Sequence, residues 1–344
     1  MLKVKKVKTF KIINTMAWTL VSVLSIYIID RKTDFGFKDK YVVTMKSQQL
    51  AKYFAKNHIT DNEYGLTPAI TIGENDEYSI NMDEIVDVSN DNTKILEKLK
   101  EEKDYTYLLN NFYIVDSSTS VTEDILNPDK LIQMDMSVTN DNSNPQILIY
   151  HTHGSEKYSD SVMGVQDDTV IGVGEYLKEL LEEKGYNVIH DTSSYDVVDG
   201  KWNRNAYETA QEGLEKIMAE NPSIEVTIDL HRNSGEKKAI AQINGENVAK
   251  VMFFNGVSRT KTGTRTSLYN ENLSSNLAFS LQLQMKSMEK YPGFSEKIYI
   301  KGYRYNLHIA PKAMLIEVGN DKNTVEEAKK AMVPFSEILD DVID

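Results

Sequence analysis

The stretch QILIYHTHGSE, residues 146–156, sets a short apolar run directly against a cluster of polar side chains. The run is rich in β-favouring residues and too short for a stable helix, so it reads as a buried strand over 146–150. Behind it stand His151, His153 and Glu156, side-chain types that bind metals and move protons. The pattern returns twice downstream. IEVTIDLHRN, residues 224–233, holds Asp229 and His231, and MLIEVGN, residues 314–320, holds Glu317.

Helical patterns separate these runs. Residues 168–184 place Val170, Val173, Leu177, Leu180 and Leu181 on one face, and Gly185 stops that helix. A strand is expected over 187–190 and a helix over 202–220, ended by Asn221-Pro222. Residues 239–243 and 248–254 read as a hairpin across Asn244-Gly245. A long helix is expected over 268–291, strands over 297–300 and 314–318, and a last helix opening on a Thr324/Glu327 capping box. Strands alternating with helices predict an α/β domain, its mostly parallel or mixed sheet flanked by helices. In such sheets ligands gather at the carboxyl ends of strands, where the three polar clusters fall.

The chain has no cysteine and six histidines, at 58, 151, 153, 190, 231 and 308. A catalytic metal must therefore rest on His, Asp and Glu. A catalytic zinc takes three protein ligands and leaves a position for water, and two histidines with a carboxylate are a known set. We expect His153, Glu156 and His231 to be those ligands, with Glu317 as general base and His151 and Asp229 orienting ligands from behind. Asp167 and Asp168, at the start of the next helix, compete with Glu156. His190 follows a strand, but its surroundings read as a loop on the far side of a helix. His308 is expected in a cleft or loop, and His58 stands alone. Each signal is weak singly, since an isolated strand-end histidine is more often structural. Their conjunction in one α/β domain points to zinc hydrolysis.

Length, 344 residues, allows one large domain or two modest ones. Net charge is −13, which argues against nucleic acid as partner. Lysines at 3, 5, 6, 8 and 11 precede an uncharged run over 12–29. At about 1.5 Å per residue that run reaches roughly 27 Å, enough to cross a hydrocarbon core. We read 1–11 as a cytoplasmic tail and 12–29 as a single uncleaved transmembrane anchor. Residues 30–127 are then an extracytoplasmic spacer or accessory region with helices over 46–57 and 93–103, and 128–344 the catalytic domain.

ILIYHTHGSEKYSD, VGEYLKELLEEKGYNVIHDTSSYD, WNRNAYETA, NPSIEVTIDLHRN and MLIEVGNDKNTVEEAKKAM resemble, in this order, the sporulation stage II protein P family of endospore-forming bacteria. They span residues 145–332, and the lysine-flanked anchor fits as well. The resemblance implies a relative of zinc-dependent N-acetylmuramoyl-L-alanine amidases, cleaving the muramoyl–L-alanine amide of peptidoglycan and also stem-peptide cross-links. It implies work during engulfment, between the membranes of the sporulating cell, beside a lytic transglycosylase (stage II protein D) and a polytopic membrane protein (stage II protein M).

Similarity to the amidases makes His153, rather than His151, the first metal ligand. The order H-x-x-E, His, Glu also resembles zinc carboxypeptidases, which supports Glu156 as ligand and Glu317 as base. The amidase carboxylate lies near the following helix, which favours Asp167 or Asp168. Glu156 is preferred because it sits within one short turn of His153. Arg204 and Asn205 match a family segment and, with Arg232, are expected to contact substrate. Asn233 stands where the family usually has an acid, and Leu307-His308-Ile309 also departs from its pattern. The rival expectations are a degenerate amidase fold that binds peptidoglycan or partners without catalysis, and a zinc carboxypeptidase trimming stem peptides.

Overall fold

The computed structural model describes residues 69–72, 78–81, 88–139 and 142–344, with side chains from residue 92 onward. The expected anchor over 12–29, the helix expected over 46–57 and His58 lie outside the described residues. Ala69–Ile72 and Tyr78–Asn81 pair as an antiparallel hairpin that belongs to a unit of its own.

From residue 88 the chain forms a second unit. Its elements run α1 (Val88–Glu102), α2 (Tyr105–Phe112), β1 (Tyr113–Val115), α3 (Pro128–Gln133), β2 (Ile147–Tyr150), α4 (Val170–Glu183), β3 (Val188–His190), α5 (Ala206–Glu220), β4 (Val226–Asn233), β5 (Val251–Gly256), α6 (Leu273–Lys290), β6 (Ile298–Lys301), β7 (Lys312–Asn320) and α7 (Val325–Ile343). The strands make one mixed seven-stranded sheet in the order β1-β6-β5-β7-β4-β2-β3. Neighbours are parallel except at β5–β7, where the direction reverses.

Both faces of the sheet are covered, which explains why β2 is an unbroken apolar run rather than an alternating one. Ile147 and Ile149 face the main core with Leu177 and Leu181 of α4, Leu277 of α6 and Phe335 of α7. Leu148 and Tyr150 point the other way, against Ala210 and Leu214 of α5. This is the two-residue period of a strand with each face buried by a different helix.

Several boundaries differ from expectation, each for a local reason. α4 starts at Val170 because Gln166–Asp168 form a 3-10 turn and the Thr169 hydroxyl caps the helix. α5 starts at Ala206, since Lys201–Trp202 pair with Val197–Val198 in a tight hairpin turning through Asp199 and Gly200. Both turn residues have positive φ, 50° and 70°. The hairpin across Asn244-Gly245 ends at Ala249, and Val251 onward leaves it for the central sheet. The capping box at Thr324 and Glu327 is present.

Residues 88–127, expected in the spacer, supply α1, α2 and the edge strand β1. Leu96, Leu99, Leu108, Phe112 and Leu126 join the main core, so apolar burial continues this domain upstream of residue 128. Among the described residues no helix is long and apolar enough to cross a membrane.

Candidate active site

β7, β4 and β2 are consecutive in the sheet and mutually parallel, so their carboxyl ends open on one edge. Glu317 is the direct ladder partner of His231, and Asp229 that of Tyr150. Register partners project from the same face, and Asp229, two residues before His231, shares it. Beyond Glu317 the ladder slips by a bulge before Asn320. Gly319 makes that slip at φ +62°, and an added Cβ would lie 2.8 Å from the Asn323 amide oxygen. The bulge ends regular pairing beside Glu317, a common device for aiming a side chain.

Asp229 organises the turn after β2. Thr152 donates its N–H to Oδ1 at 2.8 Å and its hydroxyl to Oδ2 at 2.7 Å. His231 Nε2 stands 2.8 Å from Oδ1, an ion-pair distance without hydrogen-bond alignment. On the other side His231 Nδ1 lies 3.4 Å from Glu156 Oε2. Glu156 accepts the Arg232 N–H at 2.9 Å, and its own N–H closes a turn onto the His153 carbonyl at 3.1 Å. The His153 and His231 rings are 5.4 Å apart between centroids. His153, Glu156, His231, Asp229 and Glu317 are thus brought to one edge.

Burial and mutual charge set the protonation pattern. Burial pushes Glu317 up to about 7; the nearby His231 opposes this, and the carboxylates of Glu156 and Asp229 add to it. Burial also works against a proton on His231, but the charges of Asp229 and Glu156 outweigh it and hold its pKa well above the ordinary value. Glu156 and Asp229 are both held low: burial alone would raise them, and the contacts with His231 and with backbone N–H groups prevail. His153 is held low by burial and by the neighbouring His231.

Two buried atoms at this edge have no hydrogen-bond partner, His231 Nε2 and Glu317 Oε2. Such atoms are costly unless a ligand completes them. The donor chemistry fits a divalent cation, because a neutral His153, an ionised Glu156 and His231 adjoin. Among the described residues no group of three or more His, Asp or Glu already forms a metal cage, so His231 would have to release its proton and turn.

The remaining candidates separate. Asp167 is exposed and pairs with Lys329 of α7 at 3.0 Å, and Asp168 accepts the Val162 N–H at 3.0 Å. Arg232 braces the Glu156 turn, donating Nε–H to the Lys157 carbonyl at 2.8 Å. Arg204 is exposed, and Asn205 begins α5 with its N–H on Asn203 Oδ1 at 3.0 Å. His308 is half-buried, its pKa lowered to about 4 by burial and then by Arg304.

His151 is fully buried, with Nδ1 2.8 Å from the Leu230 carbonyl and Nε2 2.9 Å from His190 Nε2. Burial first, then His190, lowers its pKa to about 3, so it is neutral. His190 ends β3, within the strand expected over 187–190, but packs on His151 rather than lying toward a loop beyond the helix, and bonds Glu175 of α4 at 2.7 Å. Gly174 makes room: a Cβ there would lie 2.7 Å from the His151 ring. Gly174 inside VIGVGEYL is the available signal, since a helix interior disfavours glycine without a packing reason.

Sequence reasoning also missed Asp196, Trp202 and Tyr207. Asp196 is buried and accepts the Ser155 N–H at 3.1 Å and hydroxyl at 2.6 Å. The Trp202 and Tyr207 rings lie 5.7 and 5.6 Å from His153. The sequence places Trp202 at the start of a helix, whereas it lies on the hairpin.

Fold and site together define a mixed α/β protein with a buried histidine–carboxylate cluster at the carboxyl edge of its sheet. The family model described as Stage II sporulation protein P (SpoIIP) matches residues 42–340, and the chain belongs to that family. Stage II sporulation protein P of Bacillus subtilis (strain 168) is 26% identical over 216 residues, 57% of this chain and 50% of that protein. The chain therefore matches about half the length of that relative. Among solved structures, N-acetylmuramoyl-L-alanine amidase AmiC2 of Nostoc punctiforme is 12% identical with a TM-score of 0.34, covering 58% of this chain and 94% of its own. The N-acetylmuramoyl-L-alanine amidase from Clostridium difficile 630 is 15% identical with a TM-score of 0.35 and the same coverage. Likeness at that level fixes no residue correspondence.

Proposed function

We propose that this chain is a peptidoglycan hydrolase of sporulation that cleaves the muramoyl–L-alanine amide and stem-peptide cross-links. The in-register pair of His231 and Glu317, beside Glu156 and His153, is the observation that carries the chemistry. Membership of the Stage II sporulation protein P family supports the setting. His153, Glu156 and His231 would hold a zinc ion, which when bound supplies Lewis acidity to the scissile carbonyl and lowers the pKa of water.

The chain's own groups do the rest. Glu317, buried and poised near neutrality, takes the proton from the attacking water and returns it to the departing nitrogen. Asp229 holds the His231 ring and anchors Thr152, so the turn carrying His153 and the strand carrying His231 keep a fixed spacing. Trp202 and Tyr207 wall the His153 side of the cleft.

In this reading residues 12–29 anchor the chain with its catalytic domain outside the cytoplasmic membrane. Stage II protein D and stage II protein M are its partners during engulfment. The test is Glu317→Gln on purified peptidoglycan, with products resolved by mass spectrometry. Cleavage falls by roughly a hundredfold or more while zinc content is unchanged. A fully active variant would sink the assignment. One observation favours a non-catalytic binding module instead: His231 stands between the carboxylates of Asp229 and Glu156, at 2.8 and 3.4 Å. Peptidoglycan retention without any released product would select that reading.

A further inference from the structure

The ladder between β2 and β4 ends at Tyr150 and Asp229. One residue on, the His151 ring stands in for the next backbone donor, with Nδ1 2.8 Å from the Leu230 carbonyl. Leu230 precedes His231, and His151 lies two residues before His153. A single imidazole thus ties together the two segments that carry the expected metal ligands. A carbonyl only accepts, so Nδ1 carries the proton, and the neutral ring offers a bare lone pair at Nε2.

His190 Nε2 faces that lone pair at 2.9 Å. The contact presses on the backbone of α4, since a Cβ on Gly174 would lie 2.7 Å from His151 Nε2 and 2.9 Å from His190 Nε2. His190 has to donate here, because two bare lone pairs at this distance repel. Its other nitrogen, Nδ1, lies 2.7 Å from Glu175 Oε2, and a carboxylate also only accepts. Three contacts in a row need three protons, whereas two neutral imidazoles supply two. The third is held by His190 and Glu175 together. Burial of His190, whose side chain is 2% exposed, works against that proton, and the Glu175 carboxylate works for it. The balance leaves the His190 pKa below its ordinary 6.5. Around the pair, Lys178 of α4 holds Glu175 Oε1 at 3.4 Å, and Asp191 after β3 is engaged by Ser193 and Tyr195.

We propose that His190 and Glu175 are positioning residues whose shared proton locks the His151 ring onto the Leu230 carbonyl and so fixes the spacing of His153 and His231. This role rests on the reading of those two histidines as metal ligands. With the proton in place all three contacts close. As it leaves with rising pH, one contact has to open and the lock loosens. Glutamine at position 175 needs no extra proton: its amide donates to His190 Nδ1, His190 donates from Nε2, and His151 keeps its proton on Nδ1.

The test compares the wild-type full chain in detergent with Glu175→Gln, a change at a half-exposed side chain. Zinc affinity is measured by calorimetry between about pH 5 and about pH 8, and the ratio of the two chains is taken, so that the His231 proton common to both cancels. The ratio is near one at the acid end, and the variant binds about tenfold tighter at the alkaline end, the lower bound of what a lost contact behind a metal ligand costs. A ratio that does not change with pH overturns the lock, since a merely structural Glu175 gives that result. Nitrogen NMR of the imidazoles with chelator present reads the protons directly. Wild-type His190 carries two at the acid end and one at the alkaline end, while in Glu175→Gln it carries one, on Nε2, throughout. A wild-type His190 with one proton across the whole range overturns the lock as well. Spectra as expected in a chain that binds no zinc uphold the lock and defeat the metal-site reading; a flat ratio in a chain that cleaves peptidoglycan does the opposite.

Discussion

Glu317 offers a test that needs no substrate. Its carboxyl is buried and its pKa raised from 4.5 to about 7, first by burial, with His231 opposing and the carboxylates of Glu156 and Asp229 adding to it. The folded state therefore binds this proton more tightly than the unfolded chain. The corresponding stability is fully present below about pH 4.5 and is lost as pH rises through 7. At about 1.4 kcal/mol per pH unit, ionising Glu317 removes about 3 kcal/mol between pH 4 and pH 8. Glu317→Gln keeps shape and volume but does not ionise. With chelator present, the variant gains on the wild type by that amount across the same window, whatever its constant offset from a new amide. Urea unfolding followed by tryptophan fluorescence at several pH values reads the difference. A pH-independent difference would refute the claim that the carboxylate is buried without compensation.

Zinc binding to the wild-type chain at pH 7 releases about one proton, because His231 is held protonated by Asp229 and Glu156. Its affinity falls as pH falls, and calorimetry in buffers of different ionisation enthalpy counts the proton; zero net release contradicts the assignment. Thr152→Val strips Asp229 of a buried hydroxyl donor and costs about 1–3 kcal/mol in chemical denaturation. Gly174→Ala drives a Cβ into the His151 and His190 rings and costs about 1–3 kcal/mol, with altered imidazole resonances in NMR spectra. Unchanged stability and spectra would mean the two rings do not pack on α4.

The central strands β2, β4, β5 and β7 are legible because they are apolar runs buried on both faces, and the cluster is legible because β2, β4 and β7 end in His, Asp and Glu. Adjacency of the ends was a conditional expectation, and the order β7-β4-β2 meets it. Strand ends were less legible. β4 runs on through His231 to Asn233, since ladder pairing with β7 continues where hydrophobicity stops. Trp202 reads as the start of a helix because its polar neighbours carry no period of either kind, whereas it closes a hairpin with Lys201. The contact of His190 with His151 is not legible, because only three-dimensional packing shows that one helix glycine, Gly174, admits a pair of imidazoles. Residues 88–127 read as a spacer because α1 is polar over most of its surface and a polar connection over 116–127 follows β1.

The most direct measurement is zinc content and peptidoglycan cleavage on the full chain beside His231→Ala. The account predicts one zinc per wild-type chain, release of stem peptide from the glycan, and joint loss of metal and cleavage in the variant. Cleavage that survives His231→Ala, or a zinc-loaded wild-type chain that releases nothing from peptidoglycan, would contradict it.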